Sequence, residues 1–135
     1  MHFESPKRVA ALAALLILIP GGPALARVDG SKPFLCAVTE AVDCGSDGTC
    51  SRGSAEAVGL PTFVWVDVPG AQLREHRGER TTKIGRKEQR DGRILLQGVE
   101  KRAWSISINE STGELTAAAA GDGAGFVLFG ACTLP

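Results

Sequence analysis

The chain has 135 residues, with fifteen basic and fifteen acidic side chains and a formal net charge of zero. That balance gives no bulk attraction to polyanions or polycations. The length suits one small domain and excludes a multidomain machine, while four cysteines and no tyrosine make cysteine usage the first thing to explain.

Lys7 and Arg8 precede an apolar run from Val9 to Ile19, which Pro20-Gly21-Gly22-Pro23 interrupts before Ala24-Leu25-Ala26. This is the layout of a cleaved export signal, with a small-x-small site at its end. The apolar run is too short to span a bilayer as an anchor, and Phe34-Leu35 before Cys36 is a poor site for lipid modification. Residues 1–26 are therefore read as a signal peptide and 27–135 as a single β-barrel-like domain, periplasmic or secreted and not membrane-spanning after cleavage. Nothing in the pattern specifies an oligomeric state.

All four cysteines lie beyond the cut, so an oxidising compartment lets them pair. Cys36, Cys44, Cys50 and Cys132 allow three pairings. Cys36 with Cys132 and Cys44 with Cys50 is preferred, because the first ties the chain's ends and the second clips the Gly45–Thr49 loop. The C-x7-C-x5-C spacing lacks the close pairs of zinc knuckles and has no histidine beside it, so no metal or other cofactor is expected.

The elements read as β in chain order. Phe34–Val38 is a first short run. Ser54 to Val58 hints at a short helix ended by Gly59. Thr62–Val68 is rich in β-branched and aromatic residues and is bounded by Pro61 and Pro69-Gly70, a strand signature. Gln72–Glu75 follows. Arg80–Gln89 and Arg93–Val99 flank Asp91-Gly92, a strong hairpin signal. Ala103–Asn109 alternates, with Trp104, Ile106 and Ile108 on one face and Ser105 and Ser107 on the other, the period of a half-buried antiparallel strand. Ser111-Thr112-Gly113 turns the chain into Glu114–Ala120, and a glycine-rich turn leads to Gly125–Ala131.

Ala117–Ala120 would favour a helix by propensity. Its flanking Thr116 and Gly121 mark it as a strand whose small side chains permit close packing. The fold class is all-β, a small antiparallel β-barrel or sandwich of about seven or eight strands, disulfide-tied, with a C-terminal meander. Trp65, Trp104, Phe63, Phe126 and Phe129 are expected in the core.

The search for chemistry returns mainly exclusions. His76, the one histidine beyond the signal, sits in the polar stretch Arg74–Glu79 and reads as solvated. No nucleophile elbow, phosphate loop or zinc-protease helix is present. Asp43 and Asp47 lack calcium-loop spacing. No catalytic residue is assigned, and a non-enzyme is expected.

The one candidate surface is basic. Arg74 to Arg102 carries ten basic against five acidic residues, whereas both flanking segments are net negative. Arg80, Lys83, Arg86, Lys87, Arg90 and Arg93 on or beside paired strands would form a patch for phosphate or carboxylate groups. With no aromatic residue in that segment to stack a base, the expected partner is an anionic envelope component or acidic protein, and not nucleic acid.

Leu95-Leu96-Gln97-Gly98-Val99-Glu100, Ala103-Trp104-Ser105-Ile106, Ser111-Thr112-Gly113-Glu114-Leu115-Thr116 and Gly125–Cys132 together resemble a set of small exported bacterial proteins of unknown function. That resemblance covers residues 91–133 well and Cys36 to Val68 loosely, and implies no catalytic residues. In architecture the chain is also similar to the periplasmic inhibitors of C-type lysozyme, small disulfide-tied β-barrels with a cysteine near each end. Their blocking motif requires a tyrosine, which this chain lacks. The expected function is an exported binding or inhibitory module, with a carrier of a small apolar ligand inside the barrel as the alternative and a hydrolytic enzyme as a third reading.

Overall fold

Asp91-Gly92 and Asp122-Gly123 are two-residue hairpin turns, and each places two successive residues at positive φ, 51° and 72° in the first and 53° and 74° in the second. That conformation matches the right-handed twist of the strands it joins. In a computed structural model, which describes residues 27–135, these turns belong to an all-antiparallel array of ten strands. The signal peptide read in residues 1–26 lies outside the described residues.

The strands are β1 (Phe34–Gly45), β2 (Cys50–Gly53), β3 (Phe63–Asp67), β4 (Gln72–Glu75), β5 (Thr81–Lys83), β6 (Arg86–Arg90), β7 (Arg93–Gly98), β8 (Ala103–Asn109), β9 (Glu114–Gly121) and β10 (Ala124–Thr133). Glu56–Val58 forms one 3-10 turn, ended by Gly59 in the left-handed conformation. The order across the sheet is β5-β4-β3-β1-β10-β9-β8-β7-β6, with β2 hydrogen-bonded to the far half of β1.

The two ends of that order, β5 and β6, are consecutive in the chain. Ile84 N donates to Ala71 O on one side of this stretch and Gly85 N donates to Gln97 O on the other. The run read as one strand, Arg80–Gln89, is thus a bent stave, and the sheet curls until its ends meet at Ile84-Gly85. Curling protects the backbone groups that a flat sheet would leave open at both edges. The strand count exceeds the expected eight because this run is split in two and because β2 carries no apolar pattern, all four of its residues being exposed.

Alternation sorts the side chains. Phe34 and Cys36 on β1, Val66 on β3, Ile94 and Leu96 on β7, Ile108 on β8, Leu115 on β9, and Leu128 and Cys132 on β10 are buried inside, together with Ile84 at the seam. Val28 closes the lower end: it is buried, its N–H donates to Glu110 O, and Glu110 accepts from Arg27 Nη2 at 2.8 Å and Gln89 Nε2 at 2.6 Å.

Three expected core aromatics, Phe63, Trp65 and Phe129, are not there. Phe63 is 47% and Phe129 41% exposed, because each alternates with an inward neighbour, Val64 or Val66 in one case and Leu128 in the other. Trp65 shares the outer face with Phe63, where its indole N–H donates to His76 Nδ1 at 2.9 Å. Trp104 and Phe126 do face inward, and Phe34, fully buried, takes the central aromatic position.

Both disulfides, Cys36–Cys132 and Cys44–Cys50, join residues directly opposite each other in register, with Cα atoms 4.0 Å apart. The first lies inside the barrel and links the first strand in the chain to the last, neighbours in the sheet. Beyond it β1 carries a bulge between Val38 and Glu40. A side chain on the facing residue, Gly130, would strike the Ala37 carbonyl, so glycine allows the two backbones to approach where the bulge bends them.

Unfolding in urea tests the weight of the two links. Replacing Cys36 and Cys132 together by alanine should lower stability by ~4–5 kcal/mol, against roughly 2–3 kcal/mol for Cys44 with Cys50, because the loops closed differ so much in length. Equal losses would show that local packing, rather than chain closure, sets both values.

Candidate functional site

Residue size along the inward faces decides where the barrel is full. In the lower half Phe34, Ile94, Leu96 and Ile108 meet across the axis and leave little space. In the upper half the inward positions of β9 are Ala117 and Ala119, that of β7 is Gly98, and those of β4 and β5 are Leu73, Glu75 and Thr82. Small side chains there fail to fill the interior. The result is a cavity of about 410 Å³, within the range that holds a small-molecule ligand and large enough for roughly a dozen waters at about 30 Å³ each.

Its walls are apolar. Val38, Val64, Val66, Leu73, Ile106 and Leu128 line it, with Cys36 and Leu115 toward the floor. Trp104 stands on one side. Its ring lies over Gly98, directly opposite on β7, in a space that any side chain at that position would occupy, the aromatic cover often given to a glycine in a sheet. Trp104 Nε1 is buried and meets no acceptor, the one such side-chain atom among the described residues.

The rim is charged. Exposed Glu100, Lys101 and Asp122 stand at the mouth with half-buried Arg102. Above them the segment 54–61 forms a lid, anchored by buried Ala55 and by Val58 and Leu60 packed on the core. Arg80 fastens this lid: its Nε and Nη2 donate to the two Glu75 oxygens at 3.1 and 3.0 Å, and its Nη1 donates to Gly59 O at 3.0 Å. These bonds hold the Glu75 carboxyl below its ordinary value and raise the Arg80 guanidinium. Glu100 accepts from Lys83 N at 2.9 Å and Thr82 Oγ1 at 3.3 Å.

The six basic residues singled out from the sequence separate into three places. Arg80 belongs to the cavity mouth. Lys87 points to the other end of the barrel, donating to Val68 O at 2.9 Å. Lys83, Arg86, Arg90 and Arg93 are exposed along the outer side of the seam. There Glu88 sits between Arg86 and Arg90, at 3.4 and 3.9 Å. The split follows from the bend at Ile84-Gly85, which shifts the inward phase from Thr82 and Ile84 to Lys87 and Gln89.

No protein-family model, curated protein or solved structure matches the chain. The geometry of this cavity is therefore the ground for a functional reading. It can exclude water from an apolar body, and it offers charged groups only where that body would emerge. Among the described residues there is no cluster of side chains able to hold a metal ion and no helix long and apolar enough to cross a membrane.

The sequence did single out Ala117–Ala120 and Trp104, but as packing residues. Alanines alternating inward beside a glycine that faces a tryptophan were the available sign of unfilled volume.

The Glu75–Arg80 pair should act as a pH-dependent latch. Because folding lowers the Glu75 pKa, the latch is fully present above the free carboxylate value of about 4.3 and is lost only as pH falls through the lower folded value. At neutral pH Glu75→Gln should lower the exchange protection of the Leu60 amide, whose N–H is bonded within the lid to Ala55 O, while wild type should lose the same protection, after correction for the pH dependence of intrinsic exchange, only in acid. Identical exchange in the two proteins at pH 7 would remove the latch.

Proposed function

We propose that the protein is an exported, non-enzymatic binding module that carries a small apolar ligand in the upper half of its barrel. The observation that supports this most is the 410 Å³ space with apolar walls and a charged mouth. An eight-stave barrel is near the size at which side chains alone can fill the interior, so leaving that volume open forgoes packing that larger side chains at Ala117 and Ala119 would provide. Dispersion lost by the lining is recovered when a ligand fills the site.

Export is supported by the signal-like pattern of residues 1–26 and by two disulfides with no free cysteine among the described residues, a state that an oxidising compartment maintains. The non-enzymatic part is supported by the place of His76, on the outer side of β3 against Phe63 and Trp65 and away from the cavity. A second reading, an anionic envelope component or acidic protein bound from outside, is supported by Lys83, Arg86, Arg90 and Arg93 sharing one outer surface.

The cavity reading is tested with the neutral fluorescent probe N-phenyl-1-naphthylamine and a Trp65→Phe protein in which Trp104 is the remaining tryptophan. Saturable probe binding that quenches Trp104 is expected. Ala117→Leu, which adds bulk inside the cavity, should weaken binding at least tenfold while leaving the far-ultraviolet spectrum and urea midpoint unchanged or improved. Probe binding that is unsaturable, or is indifferent to Ala117→Leu in a folded protein, would reject it.

A further inference from the structure

The mouth of the cavity is not electrostatically even. Glu75 is satisfied by Arg80, and Glu100 by a backbone N–H and a hydroxyl. Asp122 and Lys101 are exposed residues at positive φ in loop positions, where solvent screens both charges. Arg102 differs from all of these. It is half-buried, it lines the cavity, and its Cζ lies 4.8 Å from the centre of the buried Phe126 ring. Among the described residues it enters no ion pair and makes no side-chain hydrogen bond.

A guanidinium laid on an aromatic face has lost water from that face and is fixed in orientation, while the N–H edge remains free. That edge is the geometry that a carboxylate or phosphate takes up with two parallel hydrogen bonds. Directly below are the apolar walls.

Resting on the cavity reading, we infer that the ligand is a single-chain amphiphile with an anionic oxyacid head, its tail among Val38, Val64, Leu73 and Ile106 and its head on Arg102. The lid and the Glu75–Arg80 latch border the same opening, so the tail enters beside the 54–61 segment and the head stays at the rim. A cationic head would meet Arg102 unfavourably, and a neutral one would leave its donors unpaired.

Titration calorimetry with decanoate, decyl phosphate, decanol and decylamine on the oxidised protein, at low and high salt, separates the possibilities. Either anion should bind roughly ten- to a hundredfold tighter than decanol, the span expected for hydrogen bonds to a charged group, and decylamine weakest. The better of the two anions identifies the head as carboxylate or phosphate. Arg102→Gln should erase the preference and leave decanol affinity unchanged, and Arg102→Lys should restore part of it.

Decanol binding as tightly as both anions, or an anion preference that survives Arg102→Gln, would overturn the assignment of the head while leaving the apolar cavity intact. Failure of all four ligands and of the neutral naphthylamine probe would overturn both. Should Arg102→Gln fail to fold, the decanol-to-decanoate ratio in wild type and its loss at high salt decide the matter alone.

Discussion

The pairing of β1 with β10 holds the molecule together. It runs from Leu35 opposite Thr133 to Gly45 opposite Ala124, joins segments at the two ends of the domain, and carries the Cys36–Cys132 bond at a separation of 96 residues. Contacts so distant in sequence are slow to form and carry a large loop-closure cost. The disulfide removes much of that cost from the unfolded chain. Once the pair is set, the hairpins on either side have only short connections to close: β3 and β4 from one flank, β9 through β6 from the other, until they meet at the bent stave. The bulge opposite Gly130 lies on the same pair and turns β1 outward, so that its far half pairs with β2 beyond the barrel wall.

From this frame the cavity follows by side-chain volume. The lower interior takes Phe34, Ile94, Leu96 and Ile108 and is sealed by Val28, with Arg27 and Gln89 holding the buried Glu110. The upper interior, built on the same strands, takes Ala117, Ala119 and Gly98. One barrel therefore combines a packed end that supplies stability and an end whose interior is left unfilled. The disulfide sits between the two, at the cavity floor. This division lets an apolar cavity exist in a small domain whose core could not tolerate an unfilled centre.

Much of the architecture was legible because period-two alternation and turn chemistry are local. Ala103–Asn109, Asp91-Gly92 and the Gly121–Gly125 turn are all where the residues place them, and the two cysteine pairs form as the ends-and-loop argument prefers. What was not legible depends on phase and partners. Phe63 and Phe129 read as core because aromatic strand residues usually are, yet their strands are read from Val64, Val66 and Leu128, which hold the inner face. β2 has no apolar residue beyond its cysteine and forms as the return arm of the Cys44–Cys50 hairpin. The basic run looked like one patch because nothing local announces that the inward phase slips at Ile84-Gly85.

That slip also separates two electrostatic tasks within one stretch of chain. Before the bend, Arg80 is engaged in bidentate contact with Glu75 and ties down the lid. After it, Lys87 caps a strand end at Val68 O, and exposed Arg86 and Arg90 share a single half-buried carboxylate, Glu88. Exposed pairs of this last kind contribute little to stability and are screened by salt, so the net positive charge of residues 74–102 describes composition rather than a single field. The charge with the most leverage is a residue that the run's density obscures. Arg102, at its very end, is half-buried over Phe126 and borders the apolar cavity, and a charge gains strength as water is removed from around it.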